Sequence, residues 1–533
     1  MHCGIIVISN QILTIIVKEA EMMKKIAFYM MIITIGSKIL GFIRNIVLSY
    51  FYGASNITDV YLISKTIPSF MFMFIGTAIV TGYIPIYTSI EEKKRGLNTT
   101  NANLFTENLV NVLLVISTVI IGFVLLFTPQ IVKIFASGFL ETEILLASTF
   151  TRVNIFTLYV TVLIYIFKGF LQIKNNYLIP AAIGFPLNLV IIISIVLSAK
   201  FNILVLLPIG YLFAEASQFV LMIPYIKKNG YKHGEKINFN DRNIKRFFLM
   251  VIPVIIGVSV NEINVLVDRT LASRISVGGI SALSYARQIN LFVQGIFVLT
   301  LAAVMYPQIS KMAAKENFSQ LKKTLNETLI GVCIFIIPST FGFLLFSDQI
   351  VSLLYGRGAF DLTAIKLTSG ALFFYSIGMI GIGFREILTK TFYSLKDTKR
   401  PMTNAALGMG LNVILNIVLS RFWGINGLAL ATSISSLFTT VLLFKSLRKK
   451  IGPFGMKQIS ITFFKILFAS LVMGVLAKLS FNYLTTSFYQ NPSLLIAIGI
   501  GAISYFVIIY FMKIEDVDVI VGAIKKKFGR GVA

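Results

Sequence analysis

Residues 30–53 read MMIITIGSKILGFIRNIVLSYFYG, long and apolar enough to cross a bilayer yet carrying Lys38 and Arg44 near the middle. At 100° per residue, Thr34, Ser37, Lys38, Gly41, Arg44 and Asn45 fall within an arc of roughly 120° on one helix face. The rest of the circumference is mostly Ile, Leu, Phe, Val and Met. Each cation held at mid-membrane costs about 2.5–3.5 kcal/mol, so two of them must face protein, water or an anion. Pairing with internal carboxylates would explain them as helix packing alone. The preferred expectation is a seam lining a hydrated cavity that receives an anionic substrate.

The surrounding chain fits a membrane protein. Its 533 residues are 56% hydrophobic and 13% charged, with a mean hydropathy of +0.84. Apolar windows recur from end to end, which predicts an all-α polytopic membrane protein. Their continuity, without two-residue alternation, argues against a β-barrel. About fourteen spans are expected, near 26–52, 58–88, 106–128, 143–171, 177–199, 203–226, 247–268, 279–309, 325–346, 364–394, 401–420, 424–446, 458–482 and 492–512. The net charge of +26 gathers in short loops after even-numbered spans, among them 227–246, 311–323, 394–400 and 445–457. That is the signature of membrane topology, not of nucleic-acid binding, and it predicts that both termini are cytoplasmic. Residues 1–21 lack a small-residue cleavage site, so Met22 or Met23 is a candidate true start.

Span 2 (59–87) resembles span 8 (283–310) in its early tyrosine and basic residue and its late proline. This predicts two six-helix lobes, a transporter pattern. The expected divisions are an N-terminal extension (1–22), a first lobe (23–228), a basic cytoplasmic linker (229–246), a second lobe (247–450), spans 13 and 14 (451–513) and a basic tail (514–533). Further ionisable residues inside spans include Lys65, Glu107, Arg152, Glu215, Glu262, Asp268, Arg287, Arg385 and Glu386, with Asp59 at the edge of span 2. Intramembrane charges of this kind are functional candidates. Asn261, Asn264 and Asp268 share a helix face, and Asn412 and Asn416 are one turn apart. Asp268, Asn412, Asn416 and Thr432 form a candidate monovalent-cation site, with hydrogen bonding between helices as the alternative. No other cofactor is expected. Two cysteines, Cys3 and Cys333, supply no disulfide framework, and no phosphate loop or catalytic constellation occurs.

SKILGFIRN (37–45), YGASNITDVYLISKTIP (52–68), FLQIKNNYLIPAAIGFPLNL (170–189), SYARQINLFVQGIF (284–297), YGRGAFD (355–361) and TFYSLKDTKRPMTNAALGMGLNVILN (391–416) together resemble the MurJ (MviN) lipid II flippases. These belong to the multidrug/oligosaccharidyl-lipid/polysaccharide exporter superfamily, and the resemblance runs from Met23 to the last span. It implies two lobes around a central cationic cavity with alternating access, and two final helices framing a groove for a lipid tail. The implied substrate is an undecaprenyl-pyrophosphate-linked glycan, lipid II, carried by a monomer among membrane lipids in the bacterial plasma membrane. On this resemblance Lys38 stands where the family usually has Arg, while Arg44, Asp59 and Arg152 match family residues. Asn45 replaces a usual Asp, Phe72 lies where a basic residue is usual, and Gln288 holds a usual Arg position with Arg287 one residue earlier. Such a shift turns a helical side chain by about 100°. The expected substrate contacts are Lys38, Arg44, Asn45, Asp59, Lys65, Arg152, Arg287 and Gln288. Alternatives are an exporter of another polyprenyl-linked glycan or a drug/cation antiporter of the same superfamily.

Overall fold

The computed structural model describes residues 26, 29–92 and 100–512. The expected extension and basic tail lie outside the described residues. Helices account for every regular element among the described residues, with no strand. In chain order they are α1 (Tyr29–Tyr52), α2 (Asn56–Ala78), a π-helical turn (Ile79–Tyr83), α3 (Ile84–Glu92), α4 (Thr100–Leu126), α5 (Thr128–Phe135) and α6 (Glu141–Asn154). There follow α7 (Thr157–Ile173), α8 (Leu178–Ala182), α9 (Gly184–Phe201), α10 (Leu206–Lys228), α11 (Arg242–Ile275) and α12 (Gly279–Ala314). The last are α13 (Phe318–Tyr355), α14 (Leu362–Ile377), α15 (Met379–Ser394), α16 (Lys399–Ile451), α17 (Met456–Leu484) and α18 (Gln490–Phe511).

Nine helices among the described residues are long and apolar enough to cross a membrane, or up to eleven if each of two bent pairs is one span. The expected fourteen are not reached by that test. Part of the gap has a physical reason in α16, whose 53 residues would rise about 80 Å as one rod, more than twice a hydrocarbon core. Gly424 breaks it at φ 53°, ψ −131°, a conformation open to glycine, so α16 is two helices, one for each of two expected spans.

The two bent pairs are α6 with α7, at 42°, and α14 with α15, at 48°. They occupy the fourth expected span of each half, which gives the weak sequence repeat a structural counterpart. The pairing around each break also corresponds. In the first half Asn154 Nδ2 donates to Ser64 Oγ at 2.9 Å, and in the second Asn290 Nδ2 donates to the Tyr375 carbonyl at 3.3 Å. Both bonds join the second expected span of a half to its fourth. The bond to Tyr375 satisfies a backbone carbonyl, the kind of group a broken span frees where water is absent, whereas the bond to Ser64 joins two side chains.

The chain divides into two compact units. Unit 1 holds α1 to Phe51, Val60–Ile134 and Leu140–Ser259; unit 2 holds Tyr52–Asp59, Phe135–Phe139 and the chain from Val260 onward. In unit 1, Tyr83, Tyr87, Phe105, Phe167, Phe170 and Tyr231 form a run of ring contacts with centroids 4.9–6.2 Å apart. The basic segment after α10 packs on α4: Lys236 N–H donates to Glu107 Oε1 at 2.8 Å and Asn238 N–H to Asn108 Oδ1 at 2.7 Å. Glu107 is thereby engaged by the Lys236 backbone amide. In unit 2, α13 is central, packing against α12, α14, α15 and α17.

Candidate substrate-binding site

In unit 1, small residues bring α1 onto α9. A Cβ on Gly184 would collide with Ser37 Oγ, and one on Gly41 would touch the Asn188 amide at 3.5 Å. Close approach through glycine is the usual device of helix pairs in lipid. It sets Asn188 opposite Arg44. Arg44 Nη1 donates to Asn188 Oδ1 at 3.1 Å, while Nε and Nη2 donate to Asn45 Oδ1 at 3.3 and 3.1 Å. The hydrogen bonds thus go to neutral amides, which orient the guanidinium without cancelling its charge. Lys38 is exposed on the same helix.

The remaining unit 1 candidates lie apart in character. Lys65 Nζ sits 4.9 Å from the Tyr61 ring centroid and 4.6 Å from that of Tyr211, so two π-faces hold its ammonium. On α10, Gln218 Nε2 donates to Glu215 Oε2 at 2.6 Å, with Tyr211 one turn back on the same face. Arg152 is exposed in the last turn of α6. Phe72, where the family resemblance suggests a basic residue, is buried, with its ring 4.9 Å from that of Tyr165.

In unit 2, the buried Asp59 accepts from Ser281 N–H at 2.7 Å. Its carboxylate therefore holds the first turn of α12, where orphan N–H groups and the helix dipole favour an anion. Gly278, just before that helix, has φ 74°, and a Cβ there would lie 2.2 Å from the Ala54 carbonyl oxygen. No other residue type suits this junction.

A polar cavity of about 350 Å³ opens among α11, α12, α14, α15 and α16 in unit 2. Asp268, Arg287, Asn290, Arg385, Asn412 and Thr432 contribute to its lining. Arg287 reaches this cavity, whereas Gln288, one position on, is half-buried and outside the lining. Asn416 Nδ2 donates to Asp268 Oδ1 at 2.5 Å and to Asn412 Oδ1 at 2.8 Å, and Asn412 Nδ2 reaches Thr432 Oγ1 at 3.5 Å. The four residues expected to gather do gather. Asn264 Oδ1, Asn416 Oδ1 and Ser435 Oγ are buried with no hydrogen-bond partner.

A second, apolar cavity of about 390 Å³ lies among α12, α13, α17 and α18, lined by Phe297, Phe335, Phe346, Ala477, Gly501 and Tyr505 among others. At Phe346 the backbone of α13 leaves helical geometry (φ −129°). Lys478 donates to the carbonyl of Leu345 at 3.4 Å and lies over the rings of Phe346 and Phe481. The kink is thus paired internally, by a lysine that sequence reading left unassigned.

Sequence reading found Arg44, Asn45 and the Asp268 group, but not Asn188, Tyr211 or Gln218. Asn188 stands 144 positions from Arg44, and nothing local marks it.

Known proteins resemble most of the chain. The family model described as lipid II flippase MurJ matches residues 48–499. The probable lipid II flippase MurJ of Aquifex aeolicus is 30% identical over 90% of this chain and 92% of its own. That of Thermotoga maritima is 25% identical over 91% of this chain and 96% of its own. A solved lipid II flippase MurJ in an inward closed conformation superposes with a TM-score of 0.79 at 26% identity, covering 91% of this chain and 98% of its own. An inward-facing multidrug resistance MATE transporter of the MOP superfamily gives 0.65 at 12% identity over 78% of this chain and 94% of its own, a likeness of fold alone.

Proposed function

The chain belongs to the lipid II flippase MurJ family, and from that premise we propose that it moves lipid II from the inner to the outer leaflet of the bacterial plasma membrane by alternating access. Membership makes it a multi-pass membrane transporter rather than an enzyme. A pyrophosphate headgroup cannot shed its hydration into hydrocarbon, so something must replace that water. The observation that carries the reading is Arg44, whose guanidinium is oriented by two amide oxygens and keeps its charge for an incoming phosphate. Lys38 and Lys65 add positive charge in the same unit. Arg287 adds it in unit 2. Cations of this kind in each unit suit an anion and count against a drug/cation antiporter. The apolar cavity among α12, α13, α17 and α18 suits the polyprenyl tail. An inside-negative potential favours outward transfer of an anion by about 2.3 kcal/mol per charge per 100 mV.

The oxygens of Asp268, Asn412, Asn416 and Thr432 fit a hard monovalent cation. The unpartnered Asn416 Oδ1 supports this, since rotating that amide would add its oxygen to the set. Bound there, a cation would supply gradient energy to the unit. We also place both termini in the cytoplasm and take the working form to be a monomer.

Expression in cells depleted of their own flippase tests the substrate: growth should return, and purified protein should move lipid II across proteoliposomes. Rescue failure with normal membrane expression, together with transport of a different polyprenyl-linked glycan, would favour the other exporter reading, toward which Asn45 and Phe72 point. A cysteine at Ser55 should label from outside and one at Asn229 should not; the reverse would invert the topology. A single species at twice the chain mass in detergent would contradict the monomer.

A further inference from the structure

Three charges in unit 1 sit at similar depth. Arg44 lies about eight residues from the end of α1, and Lys65 and Glu215 each about nine from the starts of α2 and α10. Each is therefore roughly 13 Å along its helix from a terminus. Glu215 is placed from its own helix: Gln218, buried one turn on, donates to it at 2.6 Å. Tyr211, one turn back on the same face of α10, offers its ring face to Lys65 and so brings that ammonium to the side of the helix that carries the carboxylate. Two cations at mid-membrane without a counter-charge are costly, and a single fixed carboxylate relieves part of that cost while leaving a net positive site.

We infer that Glu215 is a positioning residue for transport, a resident anion that balances Lys65 and Arg44 when the site is empty and weakens their hold on a phosphate-bearing substrate enough for release. This rests on the proposed function. A transporter must bind its cargo and then let it go. Cations balanced by nothing would retain a pyrophosphate, whereas a nearby carboxylate raises the energy of the occupied state by like-charge repulsion. Glu215 is not assigned a contact with substrate; it acts through Lys65 and Arg44.

Glu215→Gln keeps the shape and an acceptor for Gln218 but removes the charge. Undecaprenyl pyrophosphate should bind the detergent-purified variant about tenfold more tightly than wild type, which is about 1.4 kcal/mol. In proteoliposomes the apparent KM for lipid II should fall, and the maximal flipping rate should fall with it as release becomes limiting. A merely structural glutamate would leave binding unchanged or weaken it through misfolding, and either result overturns the inference. Glu215→Asp, which retains the charge, should restore wild-type affinity; affinity as tight as that of Glu215→Gln would also overturn it. If wild type itself fails to bind undecaprenyl pyrophosphate, the substrate reading falls and this inference with it. Binding by wild type with no change in Glu215→Gln defeats this inference alone.

Discussion

The cationic seam of unit 1 and the polar cavity of unit 2 use similar residues in opposite ways. In the seam, each donor of Arg44 described above has an amide acceptor, Glu215 accepts from Gln218, and Lys65 lies between two rings, one of them that of Tyr61, whose buried Oη lacks a hydrogen-bond partner. In the cavity, two arginines and an aspartate surround about 350 Å³ of space, and two buried polar atoms of the lining, Asn264 Oδ1 and Ser435 Oγ, lack partners. A satisfied cluster such as that around Arg44 fixes geometry, while unsatisfied groups carry a cost that a ligand can relieve. The comparison therefore assigns precision to the surroundings of Arg44 and ligand-dependent change to the cavity of unit 2.

The largest expected effect is on the seam. Asn188→Leu removes the acceptor of Arg44 Nη1 and should lower lipid II flipping by about tenfold or more, with membrane yield preserved, because a loose guanidinium loses orientation before it loses charge. Wild-type flipping by this variant would show that the seam does not depend on its hydrogen bonds. The cavity makes a different demand. Asp268→Asn should reduce flipping severalfold when sodium is present and bring it to the level wild type shows when sodium is replaced by a large organic cation. A wild-type rate indifferent to that replacement would remove the cation from the account and leave Asp268 as a helix–helix hydrogen-bonding group.

The smallest effect lies at a loop of unit 2 outside the spans. Asp397 accepts from Lys450 Nζ at 2.7 Å and from Arg400 N–H at 3.2 Å, joining the two ends of the broken α16. Burial works to raise its carboxyl pKa, yet the hydrogen bonds and charges of Lys450 and Arg400 outweigh it and hold the group below its ordinary value. A depressed carboxyl stabilises the fold above its ordinary pKa, and that contribution is lost as pH falls through the folded value. Asp397→Asn should cost about 0.2–1 kcal/mol at neutral pH, with the difference from wild type vanishing in acid. A pH-independent difference would point to packing instead of charge.

How much was legible in the sequence depends on the range of each interaction. The seam of α1 could be read because helical periodicity places Lys38, Arg44 and Asn45 on one face within a few turns. The Asp268 cluster was legible because Asn412 and Asn416 repeat at one turn. Arg287, and not Gln288, lines the cavity, as a one-residue rotation of about 100° allows. Asn188 and Tyr211 were not legible, since their partners lie on distant helices whose approach depends on glycines such as Gly184. Asp59 read as a substrate residue, and its carboxylate holds the start of α12, a role visible only once the chain brings Ser281 to it. The break at Gly424 falls at the boundary expected between two spans.

The central claim is that Arg44 is held in place for a phosphate and is not merely packed. Its most direct test is lipid II flipping in proteoliposomes by Arg44→Ala and Arg44→Lys, with membrane yield measured alongside. The account predicts loss of flipping by about 100-fold or more in Arg44→Ala at normal yield, since removing a mid-membrane cation lowers the cost of insertion. It predicts partial activity in Arg44→Lys, which keeps the charge and loses the planar fork. Flipping by Arg44→Ala at the wild-type rate would contradict it.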